Sequence, residues 1–195
     1  MKAYYEARAE EYDDWWEGSG LFEQRDRPGW ETERESLFVA LAALLPVPTL
    51  DVACGTGYLT RYLPGRVTGL DQSAAMLEIA AKRIPSARFV RADALPLPFA
   101  DRSFGRVFTS HFYGHLEGDD RSSFLTEARR VAPELVIVDS ALREDVEAVE
   151  WQQRTLNDGS QWQVYKRYFE PSELAAELNG GEIVFAGRWF VAVRA

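Results

Sequence analysis

The sequence is short of several things, and each shortage excludes a class of protein. Its one cysteine, Cys54, cannot form an internal disulfide. It has only two histidines, His111 and His115, with Gly114 between them and no third ligand marked nearby. No metal site is therefore expected. No run is long and apolar enough to span a bilayer. The segment Met1-Lys2-Ala3-Tyr4-Tyr5-Glu6 lacks the apolar stretch of a signal peptide, so a cytoplasmic location is expected. There is no basic block: Arg129-Arg130 and Lys166-Arg167 are isolated pairs in a chain of net charge −9. Neither a nucleic-acid partner nor a membrane partner is expected, and a small-molecule substrate is favoured. There is no internal repeat or low-complexity tract, and nothing defines a patch that would set an oligomeric state.

What is present is an alternation of β-type apolar runs with helical patterns, which points to a mainly parallel sheet covered by helices. Strands are expected at residues 49–53, 66–70, 88–92, 106–110 and 134–139. Two more, at 182–186 and 188–193, flank Gly187 too closely for a parallel crossover. They should form a hairpin and bring an antiparallel strand to the end of the sheet. Helices are expected at 30–45, from a Ser73 cap to about 84, at 119–131, and from Glu170-Pro171 to a stop at Asn179-Gly180-Gly181. The expectation is one α/β domain over residues 1–195, a Rossmann-like three-layer sandwich with a mostly parallel seven-stranded sheet. Two aromatic stretches fall outside the alternation, residues 1–30 and about 142–169. They are expected to form an N-terminal cap and a segment covering the acceptor site. The plainer alternative is an ordinary packing layer, since aromatics are major core residues.

In open α/β sheets, ligands bind beyond the carboxyl ends of the strands. Gly55 and Gly57 lie just past the first strand, where glycine permits a tight turn and close approach of backbone to ligand. A dinucleotide fingerprint would place a third glycine or alanine where Thr60 stands, which weakens a pyrophosphate reading and with it an NAD-dependent oxidoreductase. Asp71 closes the second strand and can accept hydrogen bonds from two ribose hydroxyls. Asp93 follows the third and can accept one from an adenine amino group. Each acid alone is a common turn residue. Three such signals at successive strand ends point to an adenosine site.

The run Asp51-Val52-Ala53-Cys54-Gly55-Thr56-Gly57 resembles motif I of the class I S-adenosylmethionine-dependent methyltransferases. Gly69-Leu70-Asp71-Gln72-Ser73 with Met76-Leu77, then Asp93-Ala94 and Leu97 to Phe104, resemble the motifs that follow. The match covers about residues 49–110 and is nearest to the small ubiquinone/menaquinone-methyltransferase-like branch. It departs from that pattern at Gly105-Arg106, where an Asp often follows Ser103-Phe104. The resemblance implies S-adenosylmethionine as cofactor and S-adenosylhomocysteine as product. Motif I, with Asp51, Ala53, Gly55, Thr56 and Gly57, would surround the methionine portion. Asp71 would hold the ribose, with Gln72 and Met76 near the adenosine. Asp93 and Ala94 would meet the adenine, and Ser110 and His111 would line the floor. Tyr5 and Tyr12 resemble a segment that closes over the cofactor. Tyrosine faces attract a sulfonium cation, though the same rings would also serve to pack the first helix on the sheet. Small residues, cysteine included, commonly fill the Cys54 position of this motif, so no nucleophile is needed to explain it.

The cofactor would bring an activated methyl, so the chain's task would be to position an acceptor for in-line attack. His111 and His115, past the fourth strand, are candidates either for a general base or for shaping the pocket. Tyr113, Trp151, Arg154, Trp162, Tyr165 and Lys166 are candidates for the acceptor site, the rings for stacking and Arg154 or Lys166 for an anionic group. The function expected is methyl transfer to a small-molecule acceptor. The alternatives are a methyltransferase acting on a macromolecule and a non-catalytic S-adenosylmethionine-binding module.

Overall fold

The apolar runs pair into one seven-stranded sheet. The computed structural model describes residues 2–195, so Met1, where the expected cap of residues 1–30 begins, lies outside the described residues. The strands of the sheet are β1 (Thr49–Val52), β2 (Val67–Asp71), β3 (Arg88–Arg91), β4 (Arg106–Ser110), β5 (Glu134–Ser140), β8 (Glu182–Ala186) and β9 (Phe190–Arg194). Their spatial order is β3-β2-β1-β4-β5-β9-β8. The first five run parallel, and β9 is antiparallel to both of its neighbours. The expected Rossmann-like sandwich with a C-terminal hairpin is what forms.

Alternation along β5 shows why three layers result. Leu135 and Ile137 point to one face with Phe124, Ala128 and Leu174. Val136 and Val138 point to the other with Leu37, Leu41 and Phe190. Helices α5 (Gly118–Val131) and α6 (Pro171–Glu177) therefore cover one face, and α3 (Trp30–Ala42) the other. With period-2 side chains buried on both faces, the central strands are apolar almost throughout. Helix α4 (Ala74–Arg83) starts on Ser73, whose Oγ accepts a hydrogen bond from the Met76 amide at 3.1 Å.

Most boundaries fall within a residue of expectation, and two differ by more. Helix α3 stops at Ala42 rather than running to residue 45, because Pro46 follows and the residue before proline is driven out of the helical region. Strand β9 starts at Phe190 rather than at 188. The Glu33 carboxylate takes the amides of Arg188, Trp189 and Phe190 at 2.9, 2.6 and 2.9 Å, which holds this turn to α3.

Both stretches outside the alternation carry their own structure. The N-terminal one holds α1 (Lys2–Arg8) and the single turn α2 (Asp14–Glu17). The other folds as a separate antiparallel pair, β6 (Val149–Thr155) and β7 (Gln161–Arg167). Tyr4 of α1 packs on Leu156 and Val164 of this hairpin, so the two stretches meet each other. Among the described residues no helix is long and apolar enough to cross a membrane.

Candidate functional site

Strand order reverses between β1 and β4, and the turns after β1, β2, β3 and β4 all leave the sheet at one edge. A cavity of about 300 Å³ lies there. Ala53, Gly55, Asp71, Gln72 and Met76 line it from the first two turns and α4. Asp93, Ala94, Ser110 and His111 line it from the next two, and Tyr5 and Tyr12 from the N-terminal segment. Of the fourteen positions expected around a cofactor, these eleven share one cavity. Leu70, Ala92, Leu95, Phe112, His115, Leu116 and Asp120 complete the wall. Apart from His115 none of these was assigned a site role in the sequence, because the apolar ones read equally well as core and Asp120 as a first-turn helix charge.

The other three positions sit behind the wall. Asp51 is buried under the loop, with Oδ2 accepting from Thr60 Oγ1 at 2.6 Å. Its Oδ1 has no hydrogen-bond partner among the described residues. Burial pushes its pKa up to about 8, against the pull of the Thr60 hydrogen bond. Thr56 donates to Asp13 Oδ1 at 2.6 Å and accepts from Arg83 on its carbonyl at 2.8 Å, so it ties the loop to the N-terminal segment and to α4. Gly57 turns at φ +73°, and an added Cβ there would lie 3.3 Å from Ala80 of α4 and from Ile84 just past its end. Thr60, where a third glycine would stand, thus has a role of its own under the loop. Cys54 is buried and its thiol is pushed up by burial, so it is no nucleophile.

Asp71 organises the turn. Its Oδ2 accepts from the Gly55 amide and its Oδ1 from the Ser73 amide, both at 2.9 Å. A carboxylate has about four acceptor positions, so two remain for a ligand. Burial raises its pKa, although the Ser73 and Gly55 amides oppose this. Ala53 and His111, both on the cavity wall, hold φ of +57° and +50°. Such conformations cost energy for side-chain-bearing residues and cluster at binding sites.

A second cavity of about 880 Å³ adjoins the first, walled by the N-terminal segment, the β6–β7 hairpin and the end of β5. Tyr5, Tyr12, His111 and His115 line both cavities. His115 Nδ1 lies 2.6 Å from the Tyr165 carbonyl oxygen, which can only accept, so the proton sits on Nδ1 and Nε2 keeps its lone pair. Its pKa is pushed well below the usual value, by burial and then by the charges of Lys166 and Arg154. His111 Nδ1 is 3.3 Å from Ser140 Oγ, and Nε2 has no partner among the described residues. Burial pushes His111 down to about 3, against the pull of Asp139. Both imidazoles are neutral at pH 7.

The six residues expected around an acceptor divide. Trp151, Arg154 and Lys166 line the larger cavity. Tyr113, Trp162 and Tyr165 do not. Tyr113 is buried on the α5–α6 side and donates to Glu177 at 2.6 Å. The Trp162 ring packs on Tyr4. Tyr165 pairs with Trp151 across the hairpin, and it is its backbone carbonyl that reaches His115. Lys166 is already engaged, 2.5 Å from Asp139 Oδ1. Burial raises the Asp139 carboxyl, but Lys166 and His111 bring it below its ordinary value. Asp139 Oδ2 also accepts from the Gly114 amide at 2.8 Å. Arg154 was legible in the sequence, but Asp139 and the other arginines of this cavity, Arg8, Arg25, Arg27 and Arg143, were not, because they are scattered along the chain.

A parallel sheet with a reversed last hairpin, a glycine turn after β1 and acids after β2 and β3 is the Rossmann-like arrangement of the class I S-adenosylmethionine-dependent methyltransferases, to which this chain is similar. Residues 50–134 match the family model described as a methyltransferase domain. Over 109 residues the chain is 38% identical to a demethylmenaquinone methyltransferase of Thermotoga maritima, covering 53% of this chain and 47% of that protein. The chain spans less than half the length of that relative. Two solved structures are similar over nearly the whole chain. The DhpI–SAH complex has a TM-score of 0.71 and 29% identity, covering 98% of this chain and 92% of that one. The DhpI-SAM-HEP complex has a TM-score of 0.73 and 27% identity, covering 99% and 94%.

Proposed function

We propose that this chain transfers a methyl group from S-adenosylmethionine to a small-molecule acceptor by in-line displacement, in the cytoplasm. The observation that carries the reading is the pair of cavities sharing Tyr5, Tyr12, His111 and His115. A donor in one and an acceptor in the other would meet at those four rings.

The smaller cavity suits the donor. Apolar walls of Leu70, Ala92, Leu95 and Leu116 would flank an adenine ring. Asp93 would accept from its amino group, and the free acceptor positions of Asp71 would take the ribose hydroxyls. Asp51, buried beneath the glycine turn and bonded to Thr60, would support the turn at the methionine end from behind. Thr56 and Gly57 would act from behind, by holding the loop in shape. Tyr5 and Tyr12 present aromatic faces that favour a sulfonium. When bound, S-adenosylmethionine supplies a methyl whose bond to sulfur breaks as the acceptor's lone pair bonds to the carbon, the bonding pair returning to sulfur.

The chain's own residues would orient and enclose. Residues 1–30 would act as a cap and about 142–169 as the acceptor-site cover, tied together by Tyr4 against Val164 and by the Asn157 amide donating to Glu11 at 2.7 Å. His111 and His115 would shape the junction as neutral hydrogen-bond acceptors. Their lowered pKa values make them weak bases. The walled acceptor cavity favours a small molecule over a macromolecule.

Calorimetric titration tests the reading. S-adenosylmethionine and S-adenosylhomocysteine should bind and NAD should not. Binding of NAD without a response to S-adenosylhomocysteine would overturn it. A panel assay of S-adenosylhomocysteine release across phenols, quinones, amines and carboxylates tests turnover.

A further inference from the structure

The chain carries a net charge of −9, yet the wall of the larger cavity is cationic. Arg8, Arg25, Arg27, Arg143, Arg154 and Lys166 line it. Two of these are neutralised: Lys166 by Asp139 and Arg143 by Asp145. The other four have no carboxylate within salt-bridge distance among the described residues, although Glu11, Asp26 and Glu150 share the same wall.

Arg8 is buried and Arg27 and Arg154 are half-buried, whereas Arg25 is exposed. Arg8 is only 8% exposed, with its guanidinium 5.7 and 4.9 Å from the ring centres of Tyr4 and Tyr12 and no hydrogen bond among the described residues. Arg154 is held in place by Gln152 Oε1, at 3.0 Å from Nε and 2.7 Å from Nη2, and its Nη1 lies 3.4 Å from the Tyr4 hydroxyl. Arg27 donates to the Trp15 carbonyl at 2.6 Å and lies over Trp30. Arg25 is depressed by burial and then by the charges of Arg154 and Arg8, so the cations feel one another across the cavity. Hydrogen bonds to neutral groups fix Arg27 and Arg154, Arg8 and Arg25 lie over the rings of Tyr12 and Phe22, and none of these contacts compensates the charge. Uncompensated cations held in a partly desolvated pocket are costly on their own and favourable around an anion.

We infer that the acceptor carries a small oxyanion, seated in the larger cavity between Arg8, Arg25 and Arg154. This rests on the methyl-transfer reading above and names the chemistry of its acceptor. A carboxylate and a phosphate ester share the planar or three-oxygen face that guanidinium groups recognise. A neutral quinone, for which the Thermotoga maritima relative is named, needs no such set of charges. The two depressed histidines agree with this assignment, since an acceptor that arrives ionised needs no strong base.

The test uses the full chain saturated with S-adenosylhomocysteine, titrated calorimetrically with benzoate, phenyl phosphate and neutral benzamide. At least one of the two anions should bind about tenfold or more tightly than benzamide, and raising the salt should weaken it. Arg154→Gln and the more exposed Arg25→Gln should each cost about tenfold in anion affinity, with a thermal melt confirming that the variants fold. The ratio of benzoate to phenyl phosphate affinity distinguishes a carboxylate from a phosphoryl group. Equal binding of anion and benzamide, no binding of either anion, or full anion affinity in both arginine variants overturns the proposal. Failure of S-adenosylhomocysteine itself to bind is a different outcome, which overturns the methyl-transfer reading.

Discussion

His115 Nδ1 lies 2.6 Å from the Tyr165 carbonyl oxygen, across fifty residues of chain. This one bond links the turn after β4 to the β6–β7 hairpin, and so joins the glycine-loop edge of the sheet to the segment over it. It also decides the tautomer. With the proton on Nδ1 and the ring largely enclosed, the imidazole stays neutral through physiological pH.

A pH profile checks that state. The kcat/KM of the methyl-transfer reaction should show no histidine inflection between pH 6 and 8, because His111 titrates at about 3 and His115 well below its usual range. An inflection near the ordinary histidine value, about 6.5, that disappears in His115→Gln would contradict the geometry.

Asp71 is both a loop anchor and a candidate ribose acceptor. Asp71→Asn keeps its size but removes its charge and replaces one acceptor oxygen with a donor group. Each hydrogen bond to a charged group is worth about 1.5–3 kcal/mol, so S-adenosylhomocysteine affinity should fall about tenfold or more. Unchanged affinity by calorimetry would remove Asp71 from the site.

The Asp139–Lys166 pair is buried at the end of β5. Lys166→Met leaves the carboxylate without its cation and should cost about 3–5 kcal/mol. For a chain of this size that is a fall in Tm of roughly 6–20 °C. The double variant Asp139→Asn/Lys166→Met should recover part of the loss, since no charge is then buried alone. Asp139 is depressed in the fold, so its contribution is present at neutral pH and disappears as pH falls below about 4.

Asp51 behaves in the opposite sense. Its folded pKa of about 8 lies above an unfolded value of about 3.9. The folded protein therefore holds a proton that the unfolded chain releases. This contribution is complete below about pH 4, declines as pH rises and is lost above about 8. Asp51→Asn cannot ionise, so it should lose less stability than the wild type between pH 6 and 9, by about 1 kcal/mol or more. Urea melts at the two pH values would show parallel losses if Asp51 ionises normally in the fold.

Gly114→Ala tests the packing behind His115. An added Cβ would lie 2.6 Å from the Arg167 carbonyl and 3.0 Å from Asp139 Oδ1. Neither the hairpin backbone nor the buried carboxylate can move freely. A loss of about 1–3 kcal/mol is expected, together with weaker acceptor binding as His115 shifts. A melt identical to that of the wild type would show that the turn has room.

The fold was legible because its signals are local. Ser73 as a helix cap, Gly55 in a left-handed turn and the apolar run of residues 134–139 each depend on a few neighbouring residues. The glycine turn and the acids at successive strand ends share that property, since each strand carries its own terminal residue to the same edge. Where reading by residue type failed, orientation was the cause. Tyr113 follows the fourth strand, as expected, but the turn sends its ring to Glu177 on the far side of the sheet. Strand alternation turns Trp162 onto Tyr4, and Lys166 is consumed by a carboxylate 27 positions earlier.

By itself, then, the sequence determined the sheet, the loop and an adenosine site, because these are set by short-range backbone geometry and by residues at fixed offsets from strand ends, while the methyl donor followed from the resemblance of those motifs to a family. Only the tertiary structure decided what surrounds the acceptor. Arg8, Arg25 and Arg154 come from α1, the turn after α2 and β6, and they share a wall only because α1 docks on a hairpin about 150 residues away. Long-range packing placed those charges together without carboxylate partners, and no local pattern in an acidic chain encodes that.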